Sequence, residues 1–202
     1  MPEMGFIRRT LFLTLICGLI VTAVSAEPTA NSASFGGPFT LTASDGSTKT
    51  DESFRGRWML VYFGFTNCPN ICPTTLSAIS RALDIVGPLS EKVQPLYITI
   101  DPERDTPQQM GDYTRAIDAR ILGLTGTPQA IASVAREYRV FYKKVPGQTP
   151  NDYSMMHSAY IYVMDPTGKY VTLITQSQDP DAIAERLREV LAAPLNSPSS
   201  RR

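Results

Sequence analysis

The run Trp58-Met-Leu-Val-Tyr-Phe-Gly-Phe65 is apolar without a break, and it constrains the fold more than any other stretch of the chain. A strand with one wet face alternates polar and apolar residues. A continuous run of this length belongs in the buried centre of a sheet. The segments that follow supply the neighbours such a strand needs. Thr74 to Val86 has helical spacing, with Leu76, Ile79, Leu83 and Val86 on one face. Gln94 to Ile100 reads as a second buried strand. Thr106-Pro107-Gln108-Gln109 starts a helix: threonine caps, proline suits the first turn, and glutamine stands three residues after the cap. Thr127-Pro128 begins another helix, to about Tyr138, and Arg139 to Lys144 is extended. Tyr160 to Met164 and Tyr170 to Ile174 pair across the turn Asp165-Pro166-Thr167-Gly168, and Asp179-Pro180 caps a last helix through Leu191. Ahead of the central strand, Phe39 to Leu41 and Ser47 to Thr50 flank Asp45-Gly46 as a short hairpin.

Strand, helix, strand, helix, then a hairpin and a closing helix is the order of an α/β domain of the thioredoxin-like fold, here with a short N-terminal β-hairpin extension. The 202 residues suit one such domain over 39–192, and two would be cramped. Arg8 and Arg9 precede the apolar run Leu11–Val24, with Ser25 and Ala26 after it. That is an export pattern, so 1–26 is read as a signal peptide cleaved after Ala26 or as an uncleaved membrane anchor. At about 14 residues the run is shorter than a comfortable bilayer span. Cys17, inside it, reads as apolar filler. Residues 27–38 read as a tether and 193–202 as a loose polar tail. Lys plus Arg and Asp plus Glu both number 19, which gives no basic signature for nucleic acid or anionic lipid.

The chemistry lies at Cys68-Pro69-Asn70-Ile71-Cys72-Pro73, directly after the first buried strand. Pro73 fits a first helical turn, which leaves Cys72 near the cap and Cys68 in the loop. A thiol there meets orphan amides and the positive helix end, and both favour thiolate. In an exported chain the pair can be a disulfide, a redox dithiol or two ligands of one metal. The only histidine, His157, lies in a loop, Tyr153 to Ser158, just before a buried strand. In a thioredoxin-like domain that loop passes beside the cysteine helix, where the fold usually places a cis-proline. Two thiolates and one imidazole suit Cu(I), and with an added donor Cu(II). A structural zinc site wants a fourth protein ligand, which this chain lacks. Met155 and Met156 either lend a thioether or pack.

Three blocks make a resemblance specific: YFGFTNCPNICPTTL (Tyr62 to Leu76), ITIDPERDTPQQM (Ile98 to Met110) and MMHSAYIYVMDPTGKY (Met155 to Tyr170). In this order they resemble the Sco/SenC family, over roughly Phe39 to Leu191. The resemblance implies a thioredoxin-like, periplasmic protein, soluble or tethered to the inner membrane. It implies copper held by Cys68, Cys72 and His157 and used to assemble the dinuclear copper centre of cytochrome c oxidase subunit II. An upstream copper donor is compatible with that role, and nucleic acid is not a partner. Family members commonly carry aspartate where this chain has Asn70, which keeps an acceptor and loses the charge. Asp101-Pro102-Glu103-Arg104-Asp105 reads either as support or partner surface near the copper, or as a charged turn entering a capped helix. Trp58, Tyr62, Phe63 and Phe65 read as core. A thiol–disulfide reductase using Cys68 and Cys72 is the alternative function, and a binding module with a structural disulfide is the third.

Overall fold

The apolar run forms strand β3 (Trp58–Gly64), and all seven of its residues are buried. In this computed structural model, which describes residue 1 and residues 35–149, 152–175 and 177–193, β3 is the pivot of a seven-stranded mixed sheet. Parallel to it on one side runs β4 (Val93–Thr99), with Trp58 opposite Val93 and Tyr62 opposite Tyr97. On the other side, antiparallel, lies β8 (Ile161–Met164), with Met59 opposite Met164. β9 (Tyr170–Ile174) closes that edge. Beyond β4 come β5 (Leu122–Thr125), then β1 (Thr40–Ala43) and β2 (Thr48–Thr50). The hairpin of β1 and β2 is the N-terminal extension expected from Asp45-Gly46, with Gly46 at φ +81° in the turn. Strand β5 has no counterpart in the sequence reading, because Leu-Gly-Leu-Thr is short and carries a glycine.

Helix α1 (Ile71–Val86) buries Leu76, Ile79, Leu83 and Val86 together with Cys72, and packs against α4 (Pro180–Ala192). It starts three residues earlier than its periodicity indicated. Helices α2 (Pro107–Ile117) and α3 (Pro128–Glu137) start where their caps predicted. Thr106 Oγ1 accepts from Gln109 N at 3.3 Å, and Thr127 Oγ1 accepts from Ala130 N at 3.2 Å. The last helix is capped by Asp179, which accepts from Asp181 N and Ala182 N. The fold is thioredoxin-like, and its strand and helix order matches the expectation except for β5 and for the strand that contains His157.

The remaining two strands stand apart. β6 (Tyr142–Pro146) and β7 (Tyr153–His157) form a separate two-stranded ribbon, with Tyr142 opposite His157 and Lys144 opposite Met155. The loop expected over Tyr153 to Ser158 is therefore a strand, with His157 as its last residue. Its alternation is real: Tyr153, Met155 and His157 are half-buried, while Ser154 and Met156 are exposed. The Met-Met pair hides that period in the sequence.

The chain divides into two compact units, Met1–Ser32 and Ala33–Arg202, and every element above belongs to the second. The export or anchor segment 1–26, the tether as far as residue 34 and the tail from 194 lie outside the described residues. Among the described residues, no helix is long and apolar enough to cross a membrane.

Candidate metal centre

Strand β3 delivers the chain to the site through Gly64. A Cβ on Gly64 would stand 2.6 Å from the Tyr97 hydroxyl and 2.8 Å from Cys72 Sγ, so only glycine lets both come this close. The loop that follows is pinned from below. Asp105 accepts from Thr66 N at 3.0 Å, Thr66 Oγ1 at 2.5 Å and Thr99 Oγ1 at 2.6 Å. Burial raises the Asp105 carboxyl above its ordinary value, against the pull of these three bonds.

Asn70 is the N-cap of α1, yet its side chain makes no capping bond. The cap acceptor is a sulfur: Cys68 Sγ accepts from Cys72 N at 3.4 Å. Pro73 follows without cost, since the third helical position has no intrahelical bond for its missing N–H to make. The sulfurs divide one proton between them. Cys68 is lowered to about 4, first by the hydrogen bond from the Cys72 side chain and then by those from the backbone of Cys72 and Asn70, with burial opposing. Cys72 is raised, first because it donates to Cys68 and then by burial. Cys68 is thus the sulfur of the pair that favours thiolate, and Cys72 the one that favours its proton. Both cysteines are free and buried.

The histidine comes in from the ribbon. His157 Nδ1 lies 2.9 Å from the Ser158 carbonyl. A carbonyl only accepts, so in the neutral ring Nδ1 carries the proton and Nε2 keeps its lone pair. Nε2 points at Cys72 Sγ, 3.7 Å away. The edges of the Phe65 and Tyr62 rings hold the imidazole, with centroids 6.0 and 6.4 Å distant. A sulfur and a nitrogen that share one ion at bond lengths of about 2.3 and 2.0 Å stand at most about 4.3 Å apart, so the observed gap fits a common metal. Among the described residues, no three His, Cys, Asp or Glu side chains are already clustered as a metal cage. The donors are neighbours that must turn inward to meet an ion. A groove of 640 Å³, lined by Ile71, His157, Tyr160 and Ser177, opens the histidine side to solvent.

Cys68, Cys72 and His157 are thus brought together from two remote segments. Met155 packs against the core, and Met156 lies on the outer face of the ribbon, 56% exposed. Trp58, Tyr62, Phe63 and Phe65 are buried, as expected. The Asp101–Asp105 segment is more than a charged turn, since Asp105 grips the cysteine loop. Sequence reasoning took Tyr62 for plain core and overlooked Tyr97. The Tyr62 hydroxyl donates to Cys72 Sγ at 4.0 Å, and Tyr97 lies beside the same sulfur. The signal was there: a phenol in a fully buried strand needs a partner.

The sequence profile described as SCO1/SenC matches residues 27–192. The chain belongs to the SCO1/SenC family. Among curated relatives, the mitochondrial SCO1 homolog 1 of Arabidopsis thaliana is 40% identical over 164 residues, covering 81% of this chain and 49% of its own length. The mitochondrial SCO1 homolog of Homo sapiens is 38% identical over 151 residues, covering 74% and 50%. The chain therefore spans about half the length of these curated relatives. Among solved structures, Bradyrhizobium japonicum ScoI with copper bound is 42% identical, with a TM-score of 0.71 over 77% of this chain and 98% of that one. Yeast Sco1 with copper bound is 32% identical, with a TM-score of 0.74 over 84% and 95%.

Proposed function

We propose that this SCO1/SenC member is an exported copper-binding assembly factor, in which Cys68, Cys72 and His157 hold one copper ion as cargo. The observation that carries this reading is the 3.7 Å approach of His157 Nε2 to Cys72 Sγ, made across 85 residues of chain, beside a Cys68 thiolate. Two soft sulfurs and an imidazole are the donor set that copper prefers. The copper-bound relatives from Bradyrhizobium and yeast support the same assignment. The apolar run near the N-terminus supports export to the periplasm, with the segment cleaved or kept as an anchor. The family role supports the dinuclear centre of cytochrome c oxidase subunit II as the acceptor. Copper leaves by ligand exchange on the open histidine side. Oxidation of Cys68 and Cys72 to a disulfide removes both thiolates and blocks loading. Titration of the reduced protein with copper is expected to show tight one-to-one binding that weakens sharply in His157→Ala. Equal binding by that variant overturns the three-donor site.

The lowered Cys68 thiol favours a second reading, thiol–disulfide reductase. The Cys68 thiolate would attack a partner disulfide, forming a mixed disulfide and releasing one partner thiolate. Cys72 would then displace the second, leaving a Cys68–Cys72 disulfide. Turnover that persists in the presence of a copper chelator and in His157→Ala decides for this reading.

A further inference from the structure

Among the described residues, His157 sits on a ribbon that shares no strand pairing with the main sheet, so no ladder of backbone bonds ties it to that sheet. Side chains do that work, and they come from the loop after β4. Arg104 donates through Nη1 to the Tyr153 carbonyl at 2.9 Å and through Nε to the Asp101 carboxylate. The Tyr153 hydroxyl donates to the other Asp101 oxygen at 2.8 Å. The guanidinium carbon of Arg104 lies 3.7 Å from the centre of the Tyr153 ring, and Lys144 Nζ lies 3.8 Å from it. Tyr153 and His157 share one face of the same strand, four residues apart.

We propose that Arg104, clamped by Asp101, is a positioning residue that holds the ribbon so that His157 faces Cys72. This rests on the three-donor reading of the site and adds the part that aligns it. The clasp is well made for the purpose. The Asp101 side chain is only 4% exposed, and Arg104 pairs with it there. The arginine fork reaches a carboxylate through Nε and a carbonyl through Nη1, two donors fixed in one plane. The ion pair from this loop to the ribbon, Lys144 with Glu103 at 2.9 Å, is exposed and holds little. Asp101 is itself anchored, its N–H donating to Thr99 Oγ1 at 2.8 Å. At the far end of the same five residues, Asp105 holds Thr66 in the cysteine loop. One short segment therefore aligns both halves of the site, thiols at one end and imidazole at the other.

The full chain has a single histidine, so its imidazole proton resonances are unambiguous. In the reduced, metal-free protein the Phe65 and Tyr62 rings displace those resonances from free-histidine positions. Arg104→Ala is expected to move them back toward those positions. Copper affinity is expected to fall about 10- to 100-fold in the same variant. Added to His157→Ala, the Arg104 change should cost no further affinity, because the group it positions is gone. Unmoved imidazole resonances, or losses that add in full, overturn the proposal. If His157→Ala binds copper as wild type does, the three-donor site fails, while the metal-free resonances still decide the role of Arg104. Should Arg104→Ala not fold, Tyr153→Phe decides. It keeps the ion pair and loses one hydroxyl bond, so a smaller shift in the same direction supports the clasp and no shift overturns it.

Discussion

Cys68 has two tasks that meet in one atom. Its sulfur caps α1 by accepting the Cys72 N–H, and the same bond stabilises the negative charge that makes it reactive. A single proton shared between two sulfurs also means that the cysteines are unequal. Cys68 carries the charge, and Cys72, wholly buried under Gly64, Tyr62 and Tyr97, carries the hydrogen. Alkylation should expose this difference. The rate at Cys68 should stay flat as pH falls from neutrality and drop only near its value of about 4. Cys72 should stay unmodified over that whole range. In Cys72→Ala the strongest donor to Cys68 is gone, and the fall in rate should move to higher pH. A mass-resolved alkylation profile checks both, and a fall for wild-type Cys68 near the ordinary thiol value would contradict the pairing.

The Asp101–Asp105 segment does more than its length suggests. Asp105 is 0% exposed and accepts three hydrogen bonds that tie β4 to the cysteine loop. Asp105→Ala leaves those donors without a partner in a dry place, and should cost about 2–3 kcal/mol in urea unfolding. The pH dependence has a definite sign. Burial raises this carboxyl in the folded state, so the folded chain binds its proton more tightly than the unfolded chain does. The contribution is therefore full below the unfolded value and declines as pH rises through the raised one. The stability of wild type relative to Asp105→Asn should decrease with rising pH across the carboxylate range. Unfolding curves at several pH values test the slope, and an increase would reverse the assignment.

For the molecule as a whole, β3 is the member on which the rest depends. Leu60 on it is 0% exposed and opposes Pro95 on one side and Val163 on the other. Leu60→Ala should cost about 2–5 kcal/mol and lower the thermal midpoint of the folded unit in a single step. How much of this could be read beforehand depended on how local the cause was. The buried face of α1, the caps at Thr106, Thr127 and Asp179, and the turn at Gly46 all follow from neighbours a few residues apart, and all were legible. Strand β5 was not, because four residues with a glycine carry no period. The strand containing His157 was not, because two adjacent methionines hide its alternation. The grip of Arg104 on Tyr153 spans 49 residues, and no spacing rule reaches that far. The three candidate donors stood out by residue type and by likeness to a family. Their mutual distance did not.

That distance along the chain has a temporal side. Cys72 and His157 are separated by 85 residues. Synthesis at about 5–20 residues per second delivers the histidine roughly 4–17 s after the second thiol. A chain that emerges from its N-terminus thus presents two thiols before the imidazole exists. During that interval the two thiols stand without their third neighbour.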